Sequence, residues 1–505
     1  MSFRRGAVAI GAGNAASKVL GVLREVLFAY SLGTTAVADS FRLALSLVLI
    51  PTHFVTGELS LASVVPVLRR ALISDPDVVR KVGRRFILGM ATYGLVLAAA
   101  FILTAKPTVT LFAPGFDERS QALAGRFLKV LGIACPLYTL ASAFVVLGLA
   151  RGRFRLIALK PAIQNIGLLV GLLCFMRFGH AELLAWGFVL AYLGLSVLGL
   201  HEFPGGARQP AVGDPLPVAT DSQWREIWLQ MRALVVLIVV TQCGLVGERM
   251  ITTLAGTGSV AAIDYARFVT ETPTLLIAMP MAVAALAKFA GGDWSDHAEQ
   301  GAQVCRTVLY GTLPLALGAL TAAPLVVSVV FQRGAFDTAS TGLVERALVG
   351  SGLGVVTVSL AYVVQRVFSS RRRNRELLFG LVVSTCASLA LALLWVRVHG
   401  VLAIGLASSI GQGIYAAWGL QRLGILGALR RSLLPVALCS MLAAMSWVAF
   451  QAAGFFTLSR WLMLGPATLA TVALLGFKEV RRDLAWVLPS GRAAVLSSTE
   501  FPSGG

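Results

Sequence analysis

Apolar runs of about 20 residues, broken by short polar or basic stretches, recur along almost the whole chain. Each is long enough to cross a roughly 30 Å hydrocarbon core as a helix. The pattern predicts about 14 spans, at residues 7–31, 36–58, 86–105, 127–149, 156–176, 183–201, 229–253, 259–287, 307–331, 342–365, 377–396, 400–420, 433–452 and 460–477. Only 13% of residues are charged and the mean hydropathy is +0.80, whereas a soluble domain carries about 25% charge. The expected fold class is therefore an all-α polytopic membrane protein.

Charge refines the picture. The net charge of +19 would suit a nucleic-acid binder, but the basic residues sit in short clusters between apolar runs. That is a topology signal, and no nucleic-acid partner is expected. About 27 Lys and Arg fall on one side of the predicted spans and about 8 on the other, which puts both termini in the cytoplasm. Arg4 and Arg5 before the first run resemble a signal sequence, but the run is long and carries Lys18 and Arg24, so it reads as an uncleaved span. The six cysteines are scattered singly without a CxxC pair and read as small core residues.

Inside the spans, charge is rare and patterned. Asn14, Ser17, Lys18, Gly21, Arg24 and Glu25 fall within an arc of roughly 120° on a helix, leaving one wet face. A basic side chain at the centre of a membrane helix costs about 2.5–3.5 kcal/mol, so these groups should face a cavity or a partner unless Arg24 snorkels outward. Arg24, Gly33, Asp39 and Arg42 recur at one constant offset as Arg249, Gly258, Asp264 and Arg267. LFAPGFD at 111–117 recurs as VFQRGAFD at 330–337, and RGRFR at 151–155 as RRRNR at 371–375. The Pro- and Gly-rich stretch at 201–226 separates the copies and reads as a linker. Two pseudo-symmetric six-helix lobes are thus expected at 1–201 and 229–420, joined by a linker at 202–228. Two further helices at 421–480 and a tail at 481–505 follow. Six spans per half give both lobes the same orientation, with a transport site expected between them near the midplane. The seventh span agrees, since Thr241, Gln242, Glu248, Arg249 and Thr252 share a wet arc of roughly 140°.

The chain has no GxxxxGK[ST], HExxH or nucleophile elbow, and its five histidines are isolated. Catalytic residues, a metal site and a cofactor are therefore not expected. What stands out is a net-basic set inside the spans: Lys18, Arg24, Arg42, Arg249 and Arg267 against Asp39 and Asp264, with Glu25, Glu58 and Glu248 as supporting acids. Guanidinium forks match phosphate oxygens bidentately, so the set suits a phosphate or diphosphate. A purely structural set of ion pairs, a cation or multidrug exporter, and a non-transporting scaffold are the competing readings. A cation site should be net acidic, and this one is net basic.

The segments SKVLGVLREVLFAYSLGTTAVADSF, APGFD, DYARFVTETP and VFQRGAFDTAS resemble the MurJ (MviN) lipid II flippases of the multidrug/oligosaccharidyl-lipid/polysaccharide exporter superfamily. The resemblance covers nearly the whole chain. It implies a transporter of the bacterial cytoplasmic (inner) membrane, not an enzyme, with a cationic cavity and a groove at the last two helices for a lipid tail. It implies as partners a polyprenyl-diphosphate-linked saccharide, with lipid II the first candidate, membrane lipids, and a coupling ion or the membrane potential. Arg24 and Asp39 match the family's cavity arginine and its partner aspartate, and Lys18 stands where an arginine is usual. Two departures are visible. The family carries an Arg-Arg pair shortly after a Pro-Asn in the second span, but here Pro51 is followed by Thr52, His53, Phe54, Val55 and Thr56, and Arg267 follows Tyr265 and Ala266 directly, one position early. Another lipid-linked oligosaccharide, of exopolysaccharide or O-antigen type, therefore stays open as the cargo.

Overall fold

The computed structural model describes residues 3–56, 65, 76–202, 221–283, 294–371, 373–454 and 459–485. Among these, regular structure is helical throughout: α1 (Phe3–Leu32), α2 (Ala36–Thr56), α3 (Pro76–Leu103), α4 (Ala105–Phe112), α5 (Glu118–Ala150), α6 (Arg155–Phe178), α7 (Leu183–Glu202), α8 (Asp221–Thr253), α9 (Ser259–Pro273), α10 (Trp294–Thr321), α11 (Ala323–Val330), α12 (Thr338–Gly352), α13 (Gly354–Ser370), α14 (Asn374–His399), α15 (Val401–Arg422), α16 (Leu426–Ala452), α17 (Gly465–Gly476) and α18 (Lys478–Ala485). Ten are long and apolar enough to cross a membrane. Twelve spans result if two bent pairs each count as one, α12 with α13 at 45° and Arg460–Gly476 with α18 at 88°. The expected first span falls on α1, and the expected eighth, at 259–287, runs in part outside the described residues. The eighth is irregular for a local reason, because after 15 residues α9 passes through Pro273 into a π-helical turn at Thr274–Ala278. Residues 203–220 of the expected linker lie outside the described residues, whereas helix α8 already begins at Asp221.

The internal repeat extends to backbone hydrogen bonds. The Ser120 N–H donates to Asp117 at the start of α5, and the Ser340 N–H donates to Asp337 at the start of α12. Each carboxylate thus satisfies an otherwise orphaned first-turn donor. At the other ends, the N–H groups of Arg151 and Arg153 bond the carbonyls of Leu147 and Gly148, and those of Arg371 and Arg373 bond Val367 and Phe368. Gly33 and Gly258, one repeat apart, both have positive φ, +53° and +85°.

The chain divides into two compact units, one of residues up to Ala261 with Phe331–Ser340, the other of Ala262–Val330 with residues from Thr341 onward. In the first, α1 lies against α6, and α5 packs against α2, α3 and α7. Phe28, Phe41 and Phe127 join α1, α2 and α5 through ring contacts at 5.7 and 5.4 Å. Helices α6 and α7 touch at Gly167, Gly171, Gly187 and Ala191, where a Cβ on Gly167 would lie 2.5 Å from the Gly187 carbonyl oxygen. Small residues four apart let the two backbones approach, which is how helices gain packing where lipid gives no hydrophobic drive.

The ends of the two repeated first helices are exchanged within this unit. The Ala335 N–H donates to the Tyr30 carbonyl at 2.7 Å, and Thr34 Oγ1 meets Ser340 Oγ at 2.9 Å, so α1 ends on the RGAFD turn. The Gly115 N–H donates to Thr253 Oγ1 at 3.2 Å, so α8 ends on the APGFD turn. In the second unit, α10 is central and packs against α13, α16, α17 and α18, while α15 packs against α13 and α14. The buried pair Arg306 and Asp483, Nε to Oδ2 2.9 Å, ties α10 to α18.

Candidate functional site

Helix α1 carries Arg24 and Glu25 toward α2 and α6. One guanidinium nitrogen of Arg24 donates to Glu25 Oε1 at 2.6 Å and the other to Asn165 Oδ1 on α6 at 2.8 Å. Arg42 on α2 donates to Glu25 Oε2 at 2.7 Å and lies over the Phe28 ring, 5.9 Å from its centroid. Glu25 thus holds one arginine on each oxygen. Asn165 is itself fixed, donating to the Ser17 carbonyl and hydroxyl on α1 at 3.0 and 3.2 Å. The burial is graded: side chains of Glu25 and Arg42 are each 9% exposed, but that of Arg24 is 24% exposed. Arg24 and Arg42 thus share the Glu25 carboxylate. The accessible cation is pre-oriented on two sides, the arrangement that favours anion binding.

Asp39 takes part in a backbone contact that the sequence does not announce. Its two carboxylate oxygens accept the Gly258 and Ala261 N–H groups at 2.5 and 2.8 Å, and it is buried. It therefore caps the first turn of α9, joining the start of α2 to the peptide that follows Gly258. Glu25, which the sequence suggests only as a supporting residue, bridges Arg24 and Arg42. The physical reason is register, since Arg24 and Glu25 are adjacent on α1 and α2 brings Arg42 to the opposite oxygen.

The remaining residues lie on α1, α8 and α9. Lys18 is exposed on α1. Glu248 and Arg249 are half-buried near the end of α8, where Thr252 donates to the Glu248 carbonyl at 2.7 Å. Asp264 and Arg267 are half-buried one turn apart on α9, in the second unit. Glu58 lies outside the described residues. No group of three or more His, Cys, Asp or Glu suited to a metal ion occurs among the described residues. The sequence reading missed Asn165, although the polar pair Gln164 and Asn165 inside an apolar run was the available signal.

Comparison with known proteins places this geometry in a lineage. A family profile for the lipid II flippase MurJ matches residues 28–468. Over 432 residues the chain is 24% identical to a probable lipid II flippase MurJ of Rhizobium tropici, covering 82% of this chain and 80% of the relative. It is 24% identical over 512 residues to one of Vibrio cholerae, covering 92% and 94%. Its fold is similar to the solved structure of a lipid II flippase MurJ in an inward closed conformation, with a TM-score of 0.77, 18% identity, and 95% and 100% of the chains covered. A multidrug resistance MATE transporter of the MOP superfamily in an inward-facing conformation gives a TM-score of 0.60, with 14% identity and 82% and 99% covered. With the repeated charged segments and the multi-pass helical fold, the profile match over most of its length makes this chain a member of the lipid II flippase MurJ family, transporters rather than enzymes.

Proposed function

We propose that the protein translocates a polyprenyl-diphosphate-linked saccharide, with lipid II as cargo, from the cytoplasmic to the outer leaflet of the bacterial inner membrane. The observation that carries this reading is Arg24, a partly exposed cation within a membrane helix, aimed by Glu25 and Asn165. Arg24 is assigned to the diphosphate, with Arg42 and Glu25 holding its orientation, and Lys18, Arg249, Asp264 and Arg267 are assigned as further substrate-binding residues. The lobe boundaries at 201 and 229, the pair of helices at 421–480 and cytoplasmic termini belong to this reading. A cavity of about 910 Å³ in the second unit supports a seat for the prenyl tail. It is mostly apolar, lined by Leu313, Leu317, Val436, Ala443 and Trp447 with Glu345 also in its wall, and suits a lipid chain. Movement follows alternating access, driven by the membrane potential or a coupled ion. Moving one charge across 100 mV is worth about 2.3 kcal/mol.

The test is complementation of a bacterium depleted of its own lipid II flippase, with Arg24→Ala as control and membrane expression measured for both. Rescue that is lost with Arg24→Ala is expected. No rescue by well-expressed wild-type protein would remove lipid II as the cargo. A second reading, another lipid-linked oligosaccharide, is favoured by one observation. Pro51 is followed by Thr52, His53, Phe54, Val55 and Thr56, without the arginine pair that the family carries shortly after a Pro-Asn in this span, and Thr56 is buried and donates to the Thr52 carbonyl at 2.7 Å.

A further inference from the structure

The first unit holds a second polar site that the Arg24 cluster does not use. A cavity of about 570 Å³ opens between α2, α5, α6 and α8, and Lys160 of α6 lines it. The Lys160 ammonium donates to Ser142 Oγ at 2.8 Å and stands 4.4 Å from the centroid of the Tyr138 ring. Neither contact neutralises it, and none of the described lining residues is Asp or Glu. The surroundings are otherwise neutral donors and rings. Tyr192 donates to Gln164 Oε1 at 2.7 Å and lies 4.4 Å from Tyr138, which is 5.6 Å from His53. Thr56, Thr241 and Gln242 complete the polar wall. Among the described residues the contacts of Lys160 are a hydroxyl and a ring, which compensate an ammonium in a membrane helix poorly, so an anion entering this cavity gains a full charge partner.

Helix α6 connects this cavity to the Arg24 cluster. Gln164 follows Lys160 by four residues and shares its face, while Asn165, which positions Arg24, lies about 7.5 Å further along the helix axis. The cavity is therefore on the RGRFR-turn side of Arg24. We propose that it is a second anion station, in which Lys160 binds the phosphate groups of the cargo on their way to Arg24. This rests on the flippase reading for the cargo, but not for the site.

The test uses purified full-length protein carrying Arg24→Gln, so that binding at the Arg24 cluster is not read, with farnesyl diphosphate, inorganic pyrophosphate and farnesol as probes. Lys160→Met should weaken farnesyl diphosphate binding at least tenfold, Lys160→Arg should stay within threefold, and farnesol binding should not respond. Equal affinity for farnesyl diphosphate with and without Lys160 overturns the proposal. Lys160-dependent binding of pyrophosphate as well supports recognition of the bare diphosphate, and binding of farnesyl diphosphate alone supports a lipid headgroup. In unmutated protein, farnesyl diphosphate should protect Lys160 from acetylation while exposed Lys106 is not protected. Lys160 acetylated equally at saturating farnesyl diphosphate also overturns it. If complementation fails while Lys160-dependent binding persists, the lipid II assignment falls and the anion station stands.

Discussion

At the scale of single residues, Glu25 carries more of the site than its sequence context suggests. It sits between two arginines and is buried, so removing it leaves cationic groups without their carboxylate inside the membrane. Breaking a buried pair from one side costs about 3–5 kcal/mol. Glu25→Ala should therefore lower the thermal unfolding midpoint and abolish rescue, whereas Arg24→Ala should abolish rescue with a smaller loss of stability, since Arg24 is the more exposed partner. Gly33 makes a different demand. Its φ of +53° costs a residue with a side chain about 1–2 kcal/mol, and a Cβ there would stand 2.6 Å from the Ala335 carbonyl oxygen. Gly33→Ala should destabilise by more than the conformational cost alone, as read by thermal unfolding in detergent.

At the scale of elements, the site depends on contacts remote from its charges. Helix α6 places Asn165 against Arg24 and Lys160 in the second cavity, and its own position is set by the glycine contact with α7. Gly167→Leu should force these helices apart and reduce rescue even though no charged residue is touched. An Arg24 that no longer meets Asn165 would be the reason. In the second unit, α18 is tied to α10 by Arg306, which binds Asp483 and also Glu299 at 2.9 Å. Asp483→Ala should free α18 and raise protease sensitivity near residue 478 relative to unmutated protein. Retained protection would show that packing against α10 suffices. The helix caps respond to pH with a definite sign. Hydrogen bonds from Ser120 hold the Asp117 carboxyl, and the Ser340 N–H holds that of Asp337, below the ordinary carboxylate range. Both caps are thus fully formed above the usual range and are lost only as pH falls through the lowered values.

For the whole molecule, two halves of like element order do not correspond to the two compact units. Helix α8 and the RGAFD turn, both from the second half, belong with the first half because α1 and α8 exchange their terminal contacts. A sequence repeat marks what was duplicated, while contact clustering marks what packs together. The charge asymmetry of the loops supplies a prediction at this scale. A green fluorescent protein fused to the C-terminus should fluoresce and alkaline phosphatase fused there should be inactive, as expected for a cytoplasmic end. Active phosphatase would reverse the topology.

The hydrophobic pattern by itself determined the all-helical membrane architecture, because twenty apolar residues have few other ways to satisfy their backbone in lipid. Rare charges at constant spacing were enough to locate the repeat, the Arg24 segment and the paired Asp117 and Asp337 turns. Partner choice was not legible. Whether Arg24 meets Asp39 or Asn165, and whether Asp39 bridges arginines or caps α9, depends on helix rotation and on contacts more than a hundred residues apart. Lys160 shows the limit most plainly. As a lone lysine near a basic turn it looks like a topology signal, and only the packing of α2, α5, α6 and α8 turns it into a cation facing a cavity.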